Sequence, residues 1–260
     1  MKYLDAVVLI LLSVFVYSAM TDSNWYEFRH NLLGENPRSI AENVESTTEI
    51  LVINSENPKE MGSGTGVLIN SRQILSAAHI FDPKWNNPTI KVKVLGEDIV
   101  AKVDNVFIEN GEDLAVLTLE KAVPLDPISI DCTPLQYSAE DVYTIGSPYG
   151  TEKLIRFGNI ARLSPTLYKR AWQQDKTEEE KLEWKKNHKS LNTIDMTAFP
   201  GNSGGPVFNK RNNMIGIVSS IMTVINLNGR GYENNHYTFT IKPELVCQVL
   251  TDGKYKFMKA

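Results

Sequence analysis

Apolar and polar positions alternate in short runs along most of the chain, and the runs are rich in β-branched residues. EILVIN at 49–54, GVLIN at 66–70, the run at 73–76, IKVKVL at 90–95, the run at 99–106 and DLAVLTL at 113–119 read as one set of strands separated by turn residues. A proline-containing connector at 123–135 precedes a second set at 141–145, 154–163, 192–197, 205–209, 214–220 and 236–241. KPELVCQVL at 242–250 predicts a terminal helix, with Pro243 in the first turn where its missing N–H costs little. Many short strands between turn signals predict an all-β barrel or sandwich, and the strand period does not separate the two.

Three segments depart from this pattern. Ala6 to Met20 is almost wholly apolar behind Lys2. As a helix it would be about 22 Å long, short of a hydrocarbon core of about 30 Å, so residues 1–20 read as a secretory signal or, if uncleaved, an anchor. Cleavage after Ser18 fits better than after Ala19, which would leave bulky Tyr17 inside the cut. Residues 21–47 are polar without clear periodicity and are expected to form an N-terminal arm. Residues 168–189 are dense in good helix formers, with capping-box pairs at Thr177/Glu180 and Asp175/Glu178. Only Leu182 and Trp184 supply an apolar face there, so a solvated helical insertion is expected, or a lid or partner contact. The organisation is therefore a signal or anchor, an arm, a first β unit at 48–122, a linker at 123–135, and a second β unit at 136–260 carrying the insertion and the terminal helix.

The net charge of −4 is mild and no basic block is present, so a nucleic-acid partner is not expected. An exported chain can form disulfides, but two cysteines, Cys132 and Cys247, are too few for a disulfide-built scaffold. They are either bridged or two buried thiols. No cysteine near residue 20 offers a lipid attachment point.

The candidate chemistry centres on TAFPGNSGGPVF at 197–208. Glycines around Ser203 would permit a tight loop and leave backbone N–H groups bare. A serine hydroxyl is a weak nucleophile and needs a base. Among four histidines, His79 ends RQILSAAH, where a strand lead-in and small alanines let an imidazole emerge beside a cleft. His30 lies in the arm, His188 in the insertion and His236 in a late strand. Asp113 stands before a strongly apolar strand, where an acid is costly unless paired, and an imidazole N–H would pair it. The order His79, Asp113, Ser203 puts two groups in the first β unit and the nucleophile in the second, with catalysis in the cleft between. The backbone N–H groups of Gly201 and Ser203 would serve a developing oxyanion.

SAAH, DLAVL and GNSGGP together resemble the three catalytic segments of the chymotrypsin-like (trypsin-like) serine endopeptidases, over residues 48 to 250. GEDLAVL with GNSGGP is most similar to the bacterial Deg, or high-temperature-requirement, branch. The resemblance implies two six-stranded β-barrels, His79 as general base, Asp113 as its orienter, Ser203 as nucleophile, and Gly201 and Ser203 as oxyanion donors. It implies no cofactor or metal, a protein or peptide substrate, and a Cys132–Cys247 disulfide tying the linker to the terminal helix. Localisation would be secreted or periplasmic, with membrane contact only through an uncleaved N-terminus; the sequence does not speak to oligomeric state.

Three departures within the wider family stand out. Asn202 occupies the position of the aspartate that pairs with a new N-terminus in zymogen-activated members, so activation by that insertion is not expected. Few residues follow the terminal helix, so the peptide-binding module typical of the branch is not expected. The insertion at 168–189 is longer than the usual loop. Thr197, Ser219 and Ser220 match the primary-pocket region by resemblance; none is charged, so a small or medium apolar side chain is expected rather than Lys or Arg. Thr197 with His236 leaves a glutamyl preference as a lesser alternative.

Three competing readings remain, of which a non-enzymatic surface adhesin gives no reason for the three motifs to coincide. GNSGG also satisfies the G-x-S-x-G pattern of α/β-hydrolases, but those place an acid and then a histidine after the serine. Here Asp252 follows His236 and Glu233 is three residues before it, with too little chain for that fold. A catalytically silent binding protein on the same double barrel is the main alternative.

Overall fold

A computed structural model of the chain describes residues 39–81, 84–108, 112–163, 177, 179, 191–225 and 231–260, the side chains of 222–225 and 231–236 excepted. The described strands and helices fall within one unit, Ser39–Ala260. The expected signal or anchor, the arm up to residue 38, and the insertion at 168–189 apart from Thr177 and Glu179 lie outside the described residues.

Six antiparallel strands close the first barrel: β1 (Thr47–Ile53), β2 (Met61–Asn70), β3 (Gln73–Ala77), β4 (Thr89–Val94), β5 (Glu97–Phe107) and β6 (Leu114–Leu119). Their spatial order is β1-β2-β3-β6-β5-β4, closed by β1 on β4. After β7 (Ser129–Ile130), the second barrel is built from β8 (Asp141–Gly146), β9 (Leu154–Arg162), β10 (Leu191–Asp195), β11 (Pro206–Phe208), β12 (Met214–Ile225) and β13 (Gly231–Ile241). Its order is β8-β9-β10-β13-β12-β11, closed by β11 on β8. Closure leaves no long free edge, which is the physical advantage of a barrel over an open sandwich. The all-β double barrel is the fold the resemblance implied.

Strand faces divide the core. In β2, Leu68 points into the first barrel while Val67 and Ile69 join a cluster between the barrels. In β6, Leu117 and Leu119 face the barrel while Leu114 and Val116 face that same inter-barrel cluster. Both faces of β6 are thus buried, which is why DLAVLTL is a continuous apolar run rather than an alternating one. In β11, Val207 enters the second barrel's core and Phe208 the shared cluster. The barrels therefore meet across a cluster fed by β2, β3 and β6 from one side and by β8, β11 and β12 from the other, and candidate residues stand just after β3 and just before β6 and β11.

The terminal helix α2 (Pro243–Asp252) buries Val246, Cys247, Val249 and Leu250 against the shared cluster. Cys247 is bonded to Cys132, closing a sequence separation of 115 residues. The short strand β14 (Met258–Lys259) then pairs in parallel with β7.

One helix was not expected. Residues 40–46, assigned to the unpatterned arm, form helix α1 (Ile40–Ser46). Ser39 and Glu42 make a reciprocal capping box. The buried residues of α1 are polar, Asn43 and Ser46, so no apolar period announces it. Asn43 Nδ2 donates to Tyr143 Oη at 3.0 Å and to the Asn212 carbonyl at 2.9 Å, so α1 docks on the second barrel by hydrogen bonds.

Candidate active site

His79 lies in a 3-10 turn (Ala78–Ile80) that begins where β3 ends. Ala77 and Ala78 are buried at the barrel junction, and the imidazole leaves it with a side-chain exposure of 47%. Asp113 immediately precedes β6, with φ of 41°, in the left-handed region that Asp tolerates better than most residues. The Ala78 N–H donates to the Asp113 carbonyl at 3.1 Å, so β3 and β6, already paired, set the two side chains side by side.

Asp113 collects donors. The backbone N–H of His79 reaches Oδ1 at 3.0 Å, and His79 Nδ1 lies 2.9 Å from Oδ2 and 3.1 Å from Oδ1. Ser219 Oγ donates to Oδ2 at 2.6 Å. Burial by itself would push the Asp113 carboxyl up. The hydrogen bonds from His79 and Ser219 and the attraction to the imidazole outweigh it and hold the carboxyl below its usual range. An ionised carboxylate only accepts, so Nδ1 carries the proton and Nε2 presents a lone pair. Ser203 Oγ stands 2.9 Å from that Nε2. A serine hydroxyl bonded to an imidazole whose far nitrogen is held by a carboxylate is an arrangement suited to nucleophilic acyl transfer.

The loop carrying Ser203 is fixed from several sides. The Asn202 N–H donates to Phe199 O at 3.0 Å, Gly205 N–H to Asn202 O at 2.9 Å and Gly204 N–H to Val218 O at 2.7 Å. Gly201 has φ of +98°, and a Cβ there would lie 2.4 Å from Ser147 O and 2.7 Å from Tyr149 N. Gly204 has φ of +82°, and its Cβ would fall 2.2 Å from both Ser76 Oγ and Thr65 O. Only glycine fits either position. Neither Gly201 N–H nor Ser203 N–H donates to an acceptor among the described residues.

The segment Ser147–Gly150 backs this loop. The Tyr149 N–H donates to Pro200 O at 2.7 Å. Phe199 lies between the Tyr149 ring, at 5.9 Å, and the Arg156 guanidinium, 5.1 Å from its centroid. No sequence signal singled out this support, because its contacts cross more than 40 residues of chain.

The pocket candidates fall in different settings. Thr197 is half-buried just after β10, and Ser220 is exposed on β12. Ser219, expected on the pocket wall, turns its hydroxyl to Asp113 instead. The cause is a register shift in the β12–β13 pairing, where Val218 opposes Thr240 and Ser220 opposes Phe239, leaving Ser219 as the extra residue. Such a bulge re-aims a side chain in a way strand alternation cannot foretell. His30, His188 and the side chain of His236 lie outside the described residues.

The family described as trypsin-like peptidase domain matches residues 64–217. A probable periplasmic serine endoprotease DegP-like of Pseudomonas fluorescens is 27% identical over 157 residues, which cover 60% of this chain and 27% of that protein. A putative serine protease HhoB of Synechocystis sp. is 26% identical over 176 residues, covering 64% of this chain and 36% of that one. The chain thus spans only about a quarter to a third of these relatives' length. Among solved structures, the active form of the Rv3671c protease from M. tuberculosis superposes with a TM-score of 0.59 at 19% identity, covering 82% of each chain. Its inactive form gives 0.57 at 20% identity, covering 82% of this chain and 91% of that one. At such identities the structures speak for the fold, while the match over 64–217 speaks for descent: the chain belongs to the trypsin-like peptidase domain family.

Proposed function

We propose that the chain is an exported serine endopeptidase that hydrolyses peptide bonds through an acyl-enzyme. The observation that carries this reading is the unbroken link from Asp113 through His79 to Ser203, with 2.9 Å at each of its two contacts. Ser203 Oγ attacks the scissile carbonyl carbon while His79 Nε2 takes its proton. The carbonyl oxygen gains the negative charge and is met by the Gly201 and Ser203 N–H groups, which have no other acceptor among the described residues. As the tetrahedral species collapses, His79 returns the proton to the leaving amine and the peptide C–N bond breaks. Water, deprotonated by the same imidazole, then releases the acyl group and regenerates Ser203. Asp113 stays ionised throughout and stabilises the imidazolium.

Export is supported by the apolar stretch at 6–20 and by the periplasmic designation of the DegP-like relatives. The Cys132–Cys247 bond is consistent with an oxidising compartment. A small or medium apolar preference fits the uncharged Thr197 and Ser220. Hydrolysis of a fluorogenic peptide library by the purified chain tests the reading. Ser203→Ala and His79→Ala are each expected to lower turnover by roughly 10⁴ to 10⁶. Near-normal rates in both would refute the assignment.

A further inference from the structure

Thr65 sits in β2 with no exposed surface, at the point where the first barrel meets the Ser203 loop of the second. All of its polar atoms are engaged. Its N–H donates to Ser203 O at 2.8 Å, and its carbonyl accepts from Ser76 Oγ at 2.7 Å. Its hydroxyl accepts from the Ser147 N–H at 3.0 Å and donates to the Gly201 carbonyl at 2.7 Å. An amide N–H can only donate and a carbonyl can only accept, so the direction of the hydroxyl proton is fixed.

Those partners matter because of Gly201. Its φ of +98° is open to glycine alone, and glycine does not by itself hold the peptide planes on either side of it. The preceding plane is held by the Tyr149 N–H on Pro200 O; in a trans peptide this turns the Gly201 N–H the opposite way. The following plane is held by the Thr65 hydroxyl on Gly201 O. Through Ser147 N–H, the same hydroxyl anchors the start of the segment that supplies Tyr149. One buried oxygen thus ties both clamps on the Gly201 peptide to the barrel that carries His79 and Asp113.

We infer that Thr65 is a positioning residue for the reaction: its hydroxyl, acting through Gly201 and Ser147 and without touching substrate, fixes the Gly201 N–H in the direction a developing oxyanion requires. The inference rests on the endopeptidase reading. Valine keeps the shape of threonine but strands a donor and an acceptor in a site with no exposed surface, and rotation of the Gly201 peptide is the local way to relieve that.

The test compares Thr65→Val and Thr65→Ser with wild type in the full chain. Three quantities are read: kcat and KM on a fluorogenic peptide, affinity for a peptide boronic acid whose tetrahedral adduct fills the oxyanion position, and Tm. Loss of a whole oxyanion donor costs about 10²–10³ in kcat, so misdirecting one in Thr65→Val is expected to cost about 10–100-fold, with KM within about twofold. Boronate affinity should fall by the same factor as kcat/KM. Thr65→Ser, which keeps the hydroxyl, should stay within about threefold of wild type even if its Tm drops for want of a methyl group. Thr47→Val removes another fully buried threonine hydrogen bond, the 2.8 Å bond to Asn43 O, and should lower Tm without changing kcat. Thr65→Ala gives the same comparison if the valine variant does not fold. Wild-type kcat in Thr65→Val, an equal loss in Thr65→Ser, or a kcat loss not mirrored in boronate affinity would each overturn the role. An inactive but folded wild type would instead overturn the endopeptidase reading, and this role with it.

Discussion

Ser219 and Asp113 show how much a single side chain can decide at the site. The Asp113 carboxylate is held in place by the backbone N–H and Nδ1 of His79 and by the Ser219 hydroxyl, and the same donors keep its proton off. Its folded pKa lies below the ordinary 3.8. A carboxyl depressed on folding contributes stability that is present above the unfolded value and lost as pH falls through the folded one. Ser219→Ala removes one donor and should move that acid loss to higher pH, read as Tm against pH below about 4. Turnover at neutral pH should fall by less than about tenfold, because the bonds to His79 still orient the imidazole. A variant whose acid limb superposes on that of wild type would show that the Ser219 bond contributes nothing. His79, Asp113, Ser203 and Gly201 were all visible in the sequence, since each stands in a motif with a mechanism attached. The Asp113 contact of Ser219 was not visible, because it follows from a bulge, and neither was Thr65, a lone threonine among glycines whose bonds all lead to distant segments.

At the scale of elements, strands were the easy part. Their β-branched composition and turn punctuation mark twelve runs in the sequence, and barrel strands lie at each. Helix α1 was harder: its cap is written in Ser39 and Glu42, but the face it buries is Asn43 and Ser46. A helix docked by polar groups leaves no hydrophobic period to read. Its attachment can be tested directly. Asn43→Ala removes the bonds to Tyr143 Oη and the Asn212 carbonyl and should cost about 1–3 kcal/mol in chemical denaturation. Lys153 Nζ also grips α1, donating to Val44 O at 2.6 Å, and desolvation there pulls the lysine pKa down despite Glu45 and Glu49. An Asn43→Ala variant as stable as wild type would mean that α1 is held by its other contacts: this grip, the Ser46 hydroxyl on Asp126 O and Val44 against the shared cluster.

For the whole molecule, the question is what keeps two barrels in one alignment while the proposed reacting groups come from both. The shared cluster does most of this, with Leu114 and Val116 from one side and Phe208, Ile217 and Val246 from the other. The C-terminal residues add a strap: Asn70 Nδ2 donates to Lys256 O at 3.0 Å, and burial together with Asp104 of β5 pushes the Tyr255 hydroxyl up to about 12. The Cys132–Cys247 bond fastens the linker to α2 across 115 residues. Closing a loop of that length should contribute about 4–5 kcal/mol in the chain-entropy account, so Cys132→Ser with Cys247→Ser should unfold at markedly lower denaturant. An unchanged midpoint would place the alignment in the apolar cluster and the C-terminal strap. The measurement that bears most directly on the central claim is reaction of the folded chain with a fluorophosphonate probe, followed by peptide mapping. The account predicts a single adduct on Ser203 that is lost in His79→Ala. A folded protein that takes up no probe, or whose labelling is indifferent to His79, would contradict it.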